Sequence, residues 1–418
     1  MAKAKYSFLS LFRHGLQGHK NWPQAWRSPD PKPHYDVVII GGGGHGLATA
    51  YYLAKRHGIK NVAVVEAGWL GGGNTGRNTT VIRSNYFYPE STRFFDHSLC
   101  LYEGLSSELN YNLMLSQGGI LTLAHSRHEL EMMTRWANSM QVQAVDSQML
   151  TPDQIKAYSP LINTSPDARF PIWGGFVQHR GGVARHDAVA WGFARSADEL
   201  GVDIIQSCPV TDMIVDGGRI TGVETARGVI KADKVAMCVA GHTSVIGAMA
   251  GLSLPIVSQP LQAMVSEPVK PCLNGVVLSP PLQTYVSQSD RGEILIGGAA
   301  DKYPSYGQRG NLPVVEDTLA ATLALYPSFS RLKLMRQWAG IVDISPDSSP
   351  IIGKTPVTGL YISGGWGTGG FKAIPAGGDT LAYTIAHDRP HELIEPFGLD
   401  RFARGAFIDE GAAAGVAH

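Results

Sequence analysis

The 418-residue chain has only four cysteines, Cys100, Cys208, Cys238 and Cys272, and no two stand at CxxC spacing. That argues against a zinc site built on paired thiolates and against a disulfide framework; no metal site is expected, and a reducing cytoplasm is the expected compartment. A basic surplus is also lacking, since 35 Lys and Arg balance 35 Asp and Glu. Nucleic acid is therefore not an expected partner, because phosphate contacts need net positive charge. Long apolar runs are scarce. One uncharged and largely apolar stretch, Val37 to Ala54, contains four consecutive glycines and His45, which makes a poor membrane helix, and no membrane association is expected. Internal repeats are missing, and low complexity is confined to the short "GAAAGVA". A chain of this length without repeats suggests two or three domains around a large core.

Residues 1–34 lack acids before Asp30, while Lys3, Lys5, Arg13, Lys20 and Arg27 precede it. An organellar transit peptide shares that composition. The alternative is a basic arm that docks on a partner chain, with Trp22 and Trp26 among prolines as aromatic anchors.

Glycine, by contrast, is abundant and clustered. In "YDVVIIGGGGHGLATAYYLAKRHGIKNVAVVEAG" an apolar strand, Val37 to Ile40, runs into Gly41-x-Gly43-x-x-Gly46 and then a helix carrying Leu47, Ala50, Tyr51 and Leu53. Gly41 permits the tight turn, Gly43 lets the backbone approach a pyrophosphate, and Gly46 lets helix pack on strand; Gly44 and His45 complete the loop. The helix N-terminus offers free N–H groups to the phosphates. A second strand, "NVAVVE", ends at Glu66, placed to bind a ribose hydroxyl. Strand, glycines, helix, strand and terminal acid in one unit indicate a dinucleotide.

Two further stretches favour FAD over NAD. "AGWLGGGNTGRNTTVIRSNY" follows Glu66 and supplies Asn74, Arg77, Thr79 and Val81 as flavin contacts. "LYISGGWGTGGFKAIPAGGDTLAYTIAHD" gives a second glycine loop with Gly367, Gly370 and Lys372; seven glycines lie between Gly364 and Gly378. A flavin ring lies far from its adenine and needs such a second hold, with donors near its pyrimidine end.

Between these loops, Asp187 to Leu200 has helical spacing, with Asp187 as the expected N-cap. "VDIIQSCPVTDMIVDGGRITGVETARGVIKADKVAMCVAG" reads as a strand, a three-stranded meander turning at Gly217-Gly218 and Arg227-Gly228, and a last strand into Gly241. The expected fold is α/β: a Rossmann-like FAD-binding domain (parallel sheet plus β-meander) interwoven with an α+β substrate-binding domain. The expected boundaries are an arm at 1–34, a discontinuous FAD-binding domain at 35–90, 181–254 and 341–395, a substrate or lid domain at 91–180 and 255–340, and a tail at 396–418. His186, in "RGGVARHDAVAWGFAR", is at this level open between ordinary surface, a capping neighbour and a chemical anchor.

The motifs "YDVVIIGGGGHGLATAYYLAKRHGI", "GGGNTGRNTTVIRSNY", "RGGVARHDAVAWGFAR" and "GGWGTGGFKAIPAGG", in this order, resemble the D-amino-acid oxidase-like group of amine and amino-acid oxidases. Along nearly the whole chain the resemblance is closer to the β-subunit family of bacterial heterotetrameric sarcosine oxidases. Its N-terminal arm is similar to "GHKNWPQAWRSP", which favours the arm over the transit peptide. The resemblance implies noncovalent FAD, with Val210 at the adenine, and FMN attached covalently to His186, near contact with an α subunit; γ and δ subunits complete the enzyme. A neutral imidazole is a competent nucleophile toward an oxidised flavin. Arg180 and Arg185 stand near enough in sequence to hold the FMN phosphate, while His179 and His242 carry no motif.

The implied activity is oxidative demethylation of sarcosine to glycine. Electrons pass from FAD to FMN to O2, giving H2O2, and the one-carbon unit goes to tetrahydrofolate on the α subunit. Arg83 and Lys372 occupy the positions that clamp the substrate carboxylate in that family, Arg83 through a forked pair and Lys372 as a point charge. The region "SQPLQAMVSEP" lacks the Lys or His that related single-chain enzymes place above the flavin, so no residue is named for deprotonating the amine. Two alternatives are a single-chain, FAD-only amino-acid or dimethylglycine oxidase and a noncatalytic flavin scaffold.

Overall fold

Apolar β-branched runs build the centre of the molecule. The computed structural model describes residues 7–20 and 24–410. Strand His34–Ile40 pairs in parallel with Gly228–Met237 on one side and Val62–Val65 on the other. Asp203–Ile205 extends the sheet beyond Val62–Val65, and Leu360–Gly364 extends it beyond Gly228–Met237. Ile351–Lys354 closes that edge as an antiparallel partner. Because side chains alternate along a strand, Val37 and Ile39 enter one core while Val38 and Ile40 enter another, so both faces must be covered. Helices Gly44–Arg56, His186–Glu199 and Ile374–His387 cover the first face with Leu47, Tyr52, Phe193 and Leu381. The meander Val210–Asp216, Arg219–Thr225 and Gly228–Met237 contributes Met213, Val223 and Ile230 to the second.

A second, largely antiparallel sheet has the order Leu334–Ile344, Val257–Pro268, Glu293–Ala300, Thr284–Gln288, Val276–Ser279, Ile120–Ala124, Gly174–Gln178, Gln148–Leu150. Helices Arg127–Val142, Pro152–Tyr158 and Leu312–Leu325 are interleaved with it in the chain. The segments of the two sheets alternate along the sequence, which gives the interwoven α/β fold expected.

Four expectations change. The third meander strand and the strand that follows it are one continuous ten-residue strand, Gly228–Met237, because the polar residues Lys231 and Asp233 alternate with buried Ile230 and Ala232 instead of breaking the run. The N-cap of helix His186–Glu199 is Arg185, and Asp187 lies inside the first turn, its Oδ1 accepting from the Ala188 N–H at 2.8 Å. An acid in the first turn still complements the helix dipole. Strand Leu334–Ile344 runs through the boundary expected at 340/341. Residues 396–410 are no tail: Phe397 is buried in the core, and the fully buried Arg401 pairs both Asp347 oxygens at 2.8 Å. The tail-like composition begins only at Gly411, and 411–418 lie outside the described residues.

In the basic segment, helix Phe8–Leu16 starts at Ser7, whose Oγ accepts from the Ser10 N–H at 3.2 Å. It buries none of its residues and exposes Phe8, Leu9, Leu11, Phe12 and Leu16. Residues beyond it fasten to the chain's own body. Trp26 packs against the first core, Arg27 Nε binds Asp198 at 2.8 Å, and Lys32 Nζ binds Asp203 at 2.6 Å. Trp22 lies outside the described residues. Among the described residues no helix is long and apolar enough to cross a membrane.

Candidate active site

One cavity of about 900 Å³ lies between the two sheets and collects most residues singled out from the sequence. Gly41, Gly43, Gly44, His45, Glu66 and Val210 line one part of it. Asn74, Arg77, Thr79 and Val81 line the middle stretch of chain, and Arg83, Gly367, Gly370 and Lys372 complete it. Gly46 and His186 are not on this wall. Gly46 is a packing glycine: a Cβ there would sit 2.0 Å from the Gly41 carbonyl oxygen.

The first loop follows from sterics. Gly41 has φ +109°, and a Cβ on it would meet the Cys238 carbonyl at 2.3 Å, so no other residue fits without moving strand Gly228–Met237. Gly43 is different. Its absent side chain leaves space on the cavity side, with only Thr75 Oγ1 at 3.2 Å. Glu66 sits at the end of Val62–Val65, where Oε2 accepts from the Gly42 N–H and Oε1 from the Gly68 N–H, both at 2.8 Å. Those two bonds fix the carboxylate at the cavity rim. The helix that follows, Gly44–Arg56, has no acid in its first turn and no side-chain cap from Gly43, as an anion-binding N-terminus requires. These residues fit a dinucleotide.

The segment after Glu66 is stapled to the second sheet. Asn74 Oδ1 accepts from the Ile341 N–H at 2.8 Å, and its amide donates to the Ile341 carbonyl. Arg77 turns back on its own loop, donating to the Gly72 and Gly73 carbonyls, and Trp338 Nε1 donates to the Arg77 carbonyl at 2.6 Å. Thr79 Oγ1 and the Tyr285 hydroxyl hydrogen-bond at 2.6 Å. The side chains of Asn74 and Arg77 therefore shape the wall and offer few free donors of their own.

Two cations stand at the other part of the cavity. Lys372 is buried, and its Nζ donates to the Thr368 carbonyl at 2.9 Å. Burial, and then the nearby Arg83 guanidinium, hold its ammonium well below the usual lysine range. Arg83 donates to Asn85 Oδ1 at 2.7 Å and lies over the Tyr86 ring, 4.7 Å from its centroid. Among the described residues neither cation has an ion-pair partner. Carrying charge together, with no carboxylate within ion-pair distance among the described residues, they favour the entry of an anion. The arrangement can bind a carboxylate against the part of the wall formed by Gly367 and Gly370.

Sequence reading passed over several residues that hold this end together. Asp343, 1% exposed, accepts from the Gly365 N–H at 2.6 Å; burial pushes its carboxyl up to about 7. The only signal was one acid in the apolar run Ile341-Val342-Asp343-Ile344. His45, expected from the sequence in the first glycine loop, also holds this end: it stacks on Trp366 at 4.5 Å and bonds the Gly370 carbonyl through Nε2 at 2.8 Å, which makes that nitrogen the donor. Burial lowers its pKa to about 4, so the imidazole is neutral and links the two glycine loops. Gln178, fully buried, accepts from the Ser84 N–H at 3.0 Å and donates to Ser84 Oγ at 2.7 Å, beside Arg83.

His186 occupies a separate place, half-buried at the first position of its helix. Burial is the first cause holding its imidazole below the usual histidine range, and Arg185 adds to it. The two arginines expected to hold a phosphate there already have partners. Arg185 pairs with Asp187 at 2.5 Å, and Arg180 with Glu103 at 2.9 Å and Asp96 at 3.2 Å. His179 hydrogen-bonds Gln148 at 3.0 Å.

Comparison with known proteins agrees with this geometry. Residues 36–384 match the family model described as FAD dependent oxidoreductase. The sarcosine oxidase subunit beta of Rhodobacter capsulatus is 50% identical over 414 residues, covering 99% of this chain and 100% of that protein. Its counterpart from an Arthrobacter species is 53% identical, covering 94% and 97%. Among solved structures, L-proline dehydrogenase from P. horikoshii superposes with a TM-score of 0.83 at 28% identity, covering 90% of this chain and 99% of that one. Glycine oxidase from Geobacillus kaustophilus, at 22% identity and a TM-score of 0.80 over 88% and 99%, shares the fold. The chain is an oxidoreductase of the FAD-dependent family and, within it, belongs with the sarcosine oxidase β subunits.

Proposed function

We propose that this chain is the catalytic β subunit of a heterotetrameric oxidase that demethylates sarcosine to glycine, with O2 as the final acceptor and H2O2 as the product. The observation that carries the reading is the pair of unpaired cations, Arg83 and Lys372, in the cavity that fits the dinucleotide. The substrate carboxylate takes a forked pair from Arg83 and a point charge from Lys372, which turns the N-methyl group toward the Gly367–Gly370 wall. Bound FAD supplies the two-electron acceptor for amine oxidation. Gly41–Gly46 and Glu66 would hold its adenosine and phosphate half, with Val210 toward the adenine; Asn74, Arg77, Thr79, Val81 and the second glycine loop would hold the rest. Charge supports this assignment as well. Burial holds Lys372 below its ordinary range, and an anion beside it favours the protonated form, so substrate binding and the charge of Lys372 are coupled.

The same proposal assigns residues 35–90, 181–254 and 341–395 to FAD binding and residues 91–180 and 255–340 to the substrate side, with strand Leu334–Ile344 shared between them. FMN is assigned to His186. A half-buried imidazole held neutral suits nucleophilic attachment, and its place off the main cavity suits a second flavin at a subunit contact. The α, γ and δ subunits complete the assembly, α carrying the tetrahydrofolate that takes the one-carbon unit. Helix Phe8–Leu16, with five large apolar side chains exposed, is the segment that docks on a partner.

Two measurements test the reading on the assembled complex. Arg83→Ala should keep its flavin and lose kcat/KM for sarcosine by about 2–4 kcal/mol, the cost of a charge-assisted bond to a partly desolvated carboxylate. Unchanged catalytic efficiency would remove Arg83 from the site. Intact mass of the denatured chain should show one added flavin mononucleotide, lost in His186→Ala; an unmodified native chain, or attachment at another residue, rules His186 out. A chain that carries FAD alone and turns over sarcosine without partners would instead favour the single-chain oxidase.

A further inference from the structure

The two cations lie 289 positions apart in the sequence, yet one helix touches the supports of both. Helix Pro89–Glu108 begins just after the Arg83 segment. Its Phe95 stacks on Tyr86 with centroids 3.9 Å apart and planes 10° off parallel, and Tyr86 in turn carries the Arg83 guanidinium on its ring. One turn on, Ser98 Oγ donates to the Lys372 carbonyl at 2.6 Å, and Tyr102 donates to the Phe371 carbonyl at 2.7 Å. The helix therefore acts as a ruler between Arg83 and Lys372.

Its N-terminus is unusual. The N-cap residue is Tyr88, which supplies no side-chain cap. The missing acceptor comes from far along the chain: Glu410 Oε2 accepts from the Phe87 N–H at 2.9 Å and Oε1 from the Tyr88 N–H at 2.8 Å. Glu410 is 5% exposed and lines the cavity beside Arg83. The segment that brings it there is anchored by the buried Arg401–Asp347 pair, by the Ile408 N–H to Asp347 at 3.1 Å, and by Ser349 Oγ to the Ile408 carbonyl at 2.5 Å. A carboxylate at a helix N-terminus is favoured by orphan N–H groups and by the dipole, and both oxygens are used here.

We propose that Glu410 is a positioning residue that sets the spacing of Arg83 and Lys372 by capping helix Pro89–Glu108 from a distance. The proposal rests on the reading that these two cations hold the substrate carboxylate. Glu410 touches neither substrate nor flavin in this scheme. It fixes the backbone at Phe87 and Tyr88, and through Tyr86 and the helix it fixes the distance across which a carboxylate must bridge.

The test uses the assembled, FAD-loaded enzyme, with methoxyacetate, an oxygen analogue of sarcosine that cannot be oxidised as an amine, titrated against the flavin absorbance. Glu410→Ala should weaken methoxyacetate binding and raise KM for sarcosine by about tenfold while kcat stays within about twofold, a split expected for loss of preorganisation in binding. Glu410→Gln, which keeps one acceptor oxygen, should recover part of that loss. Combined with Arg83→Ala, Glu410→Ala should add nothing further, because both act on one contact. Should Glu410→Ala shed its flavin, Ser98→Ala and Glu410→Gln carry the same measurement. Methoxyacetate affinity within twofold of the parent in a flavin-loaded Glu410 variant overturns the proposal, as does a loss that simply adds to that of Arg83→Ala. If Arg83→Ala itself leaves methoxyacetate binding unchanged, the carboxylate reading falls and takes this one with it. If Arg83→Ala weakens binding and Glu410→Ala does not, only the role of Glu410 is overturned.

Discussion

The two glycine loops of the cavity look alike as sequence and are held by different physics. In Gly41–Gly46 the constraints are mainly steric. Gly41 needs its positive φ, and Gly46 needs to lack a Cβ because the Gly41 carbonyl is in the way. In Gly364–Gly370 positive φ at Gly365 (+66°) and Gly367 (+50°) again favours glycine, but the contacts are looser: Gly365 would meet Ile351 at 3.2 Å, and Gly367 has nothing within 4 Å of where a Cβ would be. That loop takes its shape from distant side chains instead: Asp343 on the Gly365 N–H, His45 on the Gly370 carbonyl, and Tyr102 on the Phe371 carbonyl. One loop is fixed mainly by atoms that leave no room for a Cβ, the other mainly by side chains bonded to its polar backbone groups.

Substitutions separate these two kinds of support. The largest effect belongs to the steric loop. Gly46→Val drives a side chain into the Gly41 carbonyl, and the variant should be recovered without FAD or not at all; a soluble variant with one FAD per chain after desalting would show that the turn is not sterically fixed.

Next comes Asp343→Asn in the second loop. Because the Asp343 pKa is raised from 3.8 to about 7 by burial, the folded chain holds that proton more tightly than the unfolded chain. Its contribution is fully present below pH 3.8 and is lost as pH rises through about 7. The stability of the parent minus that of the variant should therefore fall between pH 5 and 7, by up to about 1.4 kcal/mol per pH unit. Denaturant titrations of both proteins across that window measure it, and a difference independent of pH would mean that Asp343 is ionised throughout.

Tyr102→Phe leaves the Phe371 carbonyl without its donor and should cost about 1–2 kcal/mol, with weaker FAD retention as the sign that the second loop has loosened. The smallest change is Thr75→Ala, which removes the Gly44 N–H acceptor at 3.0 Å in the first loop. About 1 kcal/mol in stability and unchanged flavin content are expected; a larger loss of flavin than in Tyr102→Phe would invert the comparison.

The same contrast explains what could be read before the structure was known. The unit from Tyr35 to Glu66 was legible because its strand, turn, helix and acid interact within about thirty residues, and each step has a residue type that sterics or hydrogen bonding demands. The meander was legible from alternation and the Gly217-Gly218 turn. The roles of Lys372 and Arg83 were reached through resemblance, since no local pattern marks a basic residue that will sit in a cavity without an ion-pair partner. Asp343, Gln178 and Glu410 escaped notice for a related reason. Their partners lie 22, 94 and more than 300 positions away, and a lone acid or amide in an apolar stretch carries no sign of what it will meet. Residues 396–410 were misread because buried Phe397, Arg401 and Ile408 are spaced by polar and glycine residues that mimic a loop.

The alternation of the two sheets along the chain also orders events during synthesis. Strand His34–Ile40 is among the first pieces of the core to leave the ribosome, yet Leu360–Gly364, which extends the sheet past Gly228–Met237, emerges more than three hundred residues later. At a few to some twenty residues per second, the nascent chain spends on the order of tens of seconds with that edge of its first sheet unpaired. A ligand held by both glycine loops would be captured only after Gly370 has been made, which would place its loading late in synthesis.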